Sequence, residues 1–126
     1  AYGVTSPVRQ FSETLYVEAH LQAGQSLLLP DAPERALYVA SGALQAQDTV
    51  LPTHSLTVFA DRPGVVVRAT QTARIALIGG APVGERVIEW NFVSSRQARI
   101  EQAKRDWMEG RFPTVPGDEV EFIPLP

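Results

Sequence analysis

The sequence has 126 residues and a mass of 13.8 kDa, the size of one compact domain. Its 44% hydrophobic content beside 20% charged residues excludes a disordered chain. Eleven basic against fourteen acidic side chains (net charge -3) argue against a nucleic-acid binder, which carries a basic face, and the lack of cysteine removes disulfide scaffolds and thiolate sites together.

Short apolar runs follow one another along the chain, broken by prolines and glycines. Residues 14–22 alternate with period two, so that Leu15, Val17, Ala19 and Leu21 face one side and Tyr16, Glu18 and His20 the other. Further strands are expected over 26–29, 36–40, 43–47, 56–60, 65–70 and 74–78, with turns at Ser41-Gly42, Asp48-Thr49, Pro63-Gly64 and Gly79-Gly80. Residues 87–93 read as one last strand, which places a barrel over 14–93. Many short strands with no helix between them predict an antiparallel sandwich or barrel. Ser94 and Gln97 have the spacing of a capping box, and Ile100, Ala103 and Trp107 then share a helical stripe, which predicts a helix over 95–109 closed by Gly110. The Pro-rich tail 111–126 carries Phe112, Val115, Phe122, Ile123 and Leu125, and so much apolar surface predicts that it docks, either on its own barrel or on something outside this chain. No apolar run approaches the roughly 20 residues of a membrane span. Ala1–Gln10 shows no signal peptide, from which a cytoplasmic location is expected.

Chemistry is harder to find. His20 stands on the polar side of its strand and His54 lies in a turn, so both read as solvent-facing, and neither has a second histidine at a ligand spacing. Asp118, Glu119 and Glu121 read as a solvated acidic patch. Glu18 has no partner acid that its spacing demands. Ser94-Ser95 reads as a helix cap, since no Gly-x-Ser-x-Gly elbow surrounds it. Gly79-Gly80 with Pro82 and Gly84 reads as a chain reversal, because a phosphate loop needs a Lys-Ser/Thr ending and a following helix. Trp90 and Trp107 read as core or interface. No catalytic, cofactor-binding or metal-binding residue is assigned.

A family resemblance rests on several motifs in one order. Leu77 to Arg86 (LIGGAPVGER), Trp90 to Ser95 (WNFVSS), Arg99 to Ala103 (RIEQA) with Asp106-Trp107, Arg111-Phe112, and Phe122 to Pro126 (FIPLP) closely resemble the C-terminal end of the pirin family. Ser6-Pro7-Val8, Leu15-Tyr16, and Glu34 to Val39 with Gly42 fit the same pattern upstream. The resemblance implies an all-β, antiparallel cupin-type barrel (a double-stranded β-helix or jelly roll) with one C-terminal α-helix and a Pro-rich tail. It also implies a partner. Pirins are bicupins, with two barrels in one chain, and iron or another divalent metal sits in the N-terminal barrel. Some members resemble quercetin 2,3-dioxygenases and others nuclear transcription co-regulators. This chain resembles the C-terminal cupin alone, with 1–10 as the connection between barrels.

The cupin pattern of metal ligands falls, in this sequence, on Pro30 and Ala32 for two histidines, on Arg35 or Ala36 for a glutamate, and near Thr57 for the last histidine. His54 then matches a glycine of the turn. None of these residues is a metal ligand, and an arginine near the site would repel a dication. The reading that follows is a metal-free barrel, the structural partner of an N-terminal metal-binding barrel that could be a quercetin 2,3-dioxygenase. The exposed face and tail would then meet either that barrel or a second copy. The alternatives are a stand-alone small-ligand-binding cupin and an interaction domain in regulation. A self-sufficient dioxygenase ranks last for want of ligands.

Overall fold

The computed structural model describes residues 1–126. The chain folds as two compact units, Ala1–Val83 and Gly84–Pro126.

In the first unit the strands are β1 (Thr14–Leu21), β2 (Ser26–Leu28), β3 (Glu34–Ser41), β4 (Leu44–Ala46), β5 (Thr49–Leu51), β6 (Leu56–Phe59), β7 (Val66–Ala69) and β8 (Ala73–Gly80). They form two four-stranded antiparallel sheets, ordered β1-β8-β3-β6 and β2-β7-β4-β5. Only β4 and β5 are neighbours both in sequence and in a sheet. Elsewhere the chain passes back and forth between the sheets, which is the connectivity of an eight-stranded jelly roll. Strands laid down this way each need one apolar face, and that requirement is the period-two pattern seen in the sequence. The first sheet sends Leu37, Val39, Ile75 and Leu77 into the core, and the second sends Leu44, Leu51, Val67 and Ala69. Burying each of the larger side chains contributes about 1.5–3 kcal/mol. The inward side of β1 falls on Leu15, Val17, Ala19 and Leu21, as its alternation predicts.

Two strand assignments need correction in this unit. Thr49–Leu51 is a strand, and the turn precedes it at Gln47-Asp48, because Ala46 pairs with Thr49. Three residues are too few for alternation to show. The strand expected to stop before Gly79-Gly80 runs through both glycines. β1 and β3 flank them on either side. A Cβ at Gly79 would meet the carbonyl oxygen of Glu34, and one at Gly80 that of Glu13, so the pair is set by close approach of backbones.

The second unit holds β9 (Val87–Glu89), β10 (Phe92–Ser94) and α1 (Gln97–Met108). The single strand expected over 87–93 is a hairpin, so the sheets of the barrel end with β8 and residues 87–94 make a separate two-stranded sheet. Its turn is Trp90-Asn91, with Trp90 at φ 51°. A tryptophan is costly in that region. Its ring contacts offset the cost, lying edge-on to Phe92 (centroids 5.4 Å apart) and to Trp107 (5.0 Å). The expected capping box does not form. Arg96 occupies the N-cap position without a side-chain cap, while Ser94 Oγ accepts from the Arg96 N–H at 3.1 Å and Gln97 turns forward to donate to Glu101. The tail packs within its own unit. Phe112 stacks on Phe92, Phe122 stacks on Trp107, and Trp107 Nε1 donates to the Ile123 carbonyl at 2.8 Å. Trp90 and Trp107 are thus packing residues, and Gly110 stands at φ 66° just past the helix.

Candidate functional site

Three of the four positions that the cupin pattern assigns to metal ligands lie at or just before the start of β3. Pro30 and Ala32 belong to the connection between β2 and β3, and Arg35 is the second residue of β3. The Arg35 side chain is 1% exposed. Its Nη1 donates to the Pro30 carbonyl at 2.7 Å and to Asp31 Oδ1 at 3.2 Å, while its Nη2 donates to the Arg62 carbonyl. Its Nε is buried without a partner. The guanidinium therefore ties the 29–33 connection to the turn after β6. Proline and alanine side chains offer no donor atom and the buried guanidinium is a fixed cation, so the side chains at these positions do not fit a metal. Thr57 is half-buried on β6 and lines a different cavity from Arg35. No three His, Asp or Glu side chains anywhere in the chain converge as a metal-holding group.

The two histidines lie apart from the start of β3. His54 stands in the turn before β6 at φ 61°, its N–H donating to the Val39 carbonyl at 2.7 Å. That backbone is the kind a glycine favours, and its ring is exposed. His20 is exposed on the outer face of β1, 3.7 Å from Glu18 Oε1. Glu18 also accepts from Arg74 Nε at 2.7 Å, across the β1–β8 pair. The hydrogen bond and charge of Arg74, with a smaller effect from His20, hold the Glu18 carboxyl below the usual carboxylate range.

Two cavities open in the first unit, and β6 borders both. One of about 650 Å³ is lined by Leu15, Glu34, Arg35, Phe59, Gly79 and Gly80 among others. The other, of about 800 Å³, lies among β4, β5, β6, β7 and the 60–65 turn, with Thr57, Phe59 and Leu51 facing it. A third, of about 230 Å³, belongs to the second unit. Asp118 and Glu121, read from sequence as solvated acids, line it beside Trp90, Trp107 and Phe122.

The outer face of the first sheet escaped sequence reasoning. Tyr16, Ile78, Ala36 and Val58 are direct cross-strand neighbours, forming one row over all four strands. The next row is Glu18, Ala76, Tyr38 and Leu56. Tyr16 is 68% exposed, Ile78 47%, Val58 75% and Leu56 55%. The available signal was a break of alternation, since β6 (LTVF) and β8 (ARIALIGG) carry apolar residues at both parities.

Comparison with known proteins agrees with this architecture. The family model of the pirin C-terminal cupin domain matches residues 16–113. A pirin-like protein of Caulobacter vibrioides is 45% identical over 127 residues, covering 100% of this chain and 44% of its own. A pirin-like protein of Solanum lycopersicum is 29% identical over 117 residues, covering 86% of this chain and 40% of its own. The chain thus spans less than half the length of the curated relatives it matches. Among solved structures, a quercetin 2,3-dioxygenase from Acinetobacter baumannii superposes with a TM-score of 0.81 over 97% of this chain and 43% of that one, at 21% identity, which establishes the cupin-like fold. Jelly-roll connectivity, ordered motifs and the match over most of its length agree: this chain belongs to the pirin family, as a C-terminal cupin domain.

Proposed function

We propose that this domain is the metal-free, structural half of a two-barrel protein, and that it docks on an N-terminal metal-binding barrel through the outer face of the β1-β8-β3-β6 sheet. The observation that carries the reading is the pair of cross-strand rows on that face. An exposed four-stranded surface with Tyr16, Ile78, Val58, Tyr38 and Leu56 in register is unusual for a face that meets water. Relatives more than twice as long supply enough chain for a covering barrel. Iron or another divalent metal, and any dioxygenase chemistry, belong in this reading to that second barrel. In this domain the ligand positions hold proline, alanine, arginine and threonine, and Arg35 brings a buried charge of the wrong sign.

The test is association. Purified alone, the chain is expected to self-associate as concentration rises, read by light scattering. It is also expected to capture the separately expressed N-terminal half of the Caulobacter relative. Ile78→Lys, at the centre of the first row, is expected to abolish both while leaving the circular dichroism unchanged. A clean monomer that ignores the N-terminal half would overturn the proposal.

A further inference from the structure

The cavity of about 800 Å³ is within the size range that holds small organic ligands. Polar groups make up the larger part of its surface, and its apolar lining includes buried Leu51 and half-buried Phe59, Val65 and Ala46. Its rim is polar and of one charge sign. Arg62 from the turn after β6 and Arg68 from β7 line it, with the amides of Gln45 and Gln47 and the hydroxyls of Ser26, Thr49 and Thr57. No aspartate or glutamate lines it, although acids outnumber bases in the chain by fourteen to eleven.

Arg62 and Arg68 have no ion pair and no side-chain hydrogen bond. Arg35, Arg74 and Arg111, by contrast, are each engaged with a carboxylate. Two unneutralised guanidinium groups lining one concave cavity raise the local concentration of anions. The rim is also held in place. Buried Arg35 donates to the Arg62 carbonyl and fixes the turn that carries that residue. Gln47 sits at φ 52° in a two-residue turn, where glycine would be easier but would carry no amide.

We propose that this cavity binds a small organic anion. An apolar body of one or two rings would lie against Leu51, Phe59 and Val65, and a carboxylate or phosphate would meet the arginine rim. Guanidinium suits such groups through paired, charge-assisted hydrogen bonds. The site requires no metal and does not depend on docking to a second barrel.

Titration calorimetry of the chain with three probes tests it. 2-Naphthoate is expected to bind saturably at one per chain. Its neutral analogue 2-naphthol and inorganic phosphate are each expected to bind about tenfold more weakly or worse, since each lacks half of the recognition. Arg62→Gln and Arg68→Gln are each expected to weaken 2-naphthoate about three- to tenfold. Arg74→Gln, outside the cavity, is expected to change nothing. With the unaltered protein, NMR is expected to show transfer from the naphthoate protons to the Phe59 ring and the Val65 methyls, a readout independent of any variant. The proposal is overturned by absence of 2-naphthoate binding, by equal binding of 2-naphthol or phosphate, by indifference to both arginine substitutions, or by contacts that avoid Phe59 and Val65.

Discussion

Arg35 shows how one residue can change what a fold is able to do. In the cupin pattern its neighbourhood supplies a carboxylate to a metal. Here the side chain is buried and spends its donors on two backbone carbonyls and Asp31. A buried cation so placed is either a brace or a liability, and substitution distinguishes the two. As a brace, Arg35→Met is expected to cost about 1–3 kcal/mol in urea unfolding, because the Pro30 and Arg62 carbonyls lose their donor. A stabilised Arg35→Met protein would identify a tolerated charge instead. His54 makes the complementary case. Its left-handed backbone and exposure fit a turn position. His54→Gly is therefore expected to stabilise the domain by about 0.5–1 kcal/mol, read as a rise in Tm.

At the scale of elements, the helix and the segments around it depend on side-chain contacts more than on local signals. α1 lacks an N-terminal side-chain cap, and its first turn carries no acid. Its support comes from Ile100, which is buried, from Trp107 in the aromatic cluster, and from Lys104 paired with Glu89 of β9. Near its C-terminus Asp106 accepts from Arg111 at 2.8 Å and from Gln102 at 2.8 Å. The Arg111 hydrogen bond, then that of Gln102, holds the Asp106 carboxyl below its usual value. A carboxyl depressed in the folded state contributes stability that is complete above its unfolded value and is lost as pH falls through the folded one. Acid titration of stability is thus expected to fall below about pH 4, and less steeply in Asp106→Asn, with a small difference because the pair is exposed.

At the scale of the whole chain, this domain combines a barrel in which no three His, Asp or Glu side chains converge with an exterior that carries apolar rows. Metal analysis of the purified chain is expected to show no stoichiometric iron, nickel, copper or zinc. One tightly held ion per chain, lost in His54→Ala, would overturn that expectation. The share of this legible in the sequence follows from range. Period-two patterning, turn residues and the ordered LIGGAPVGER, WNFVSS and FIPLP motifs are local, and they determined the all-β class, the approximate strands, the helix and the family. The family resemblance implies that proline, alanine and arginine stand where a cupin's ligands would be. Three-residue β5 and the Trp90-Asn91 turn were hidden, because a short strand has no period and a tryptophan accepts a left-handed backbone only when distant rings repay it. Tertiary structure alone decided that Arg35 braces two loops, that Tyr16, Ile78, Ala36 and Val58 align across four strands, and that Arg62 and Arg68 line one cavity. Those facts depend on cross-strand register and on connections between sheets, which bring together residues dozens of positions apart and leave no periodic trace along the chain.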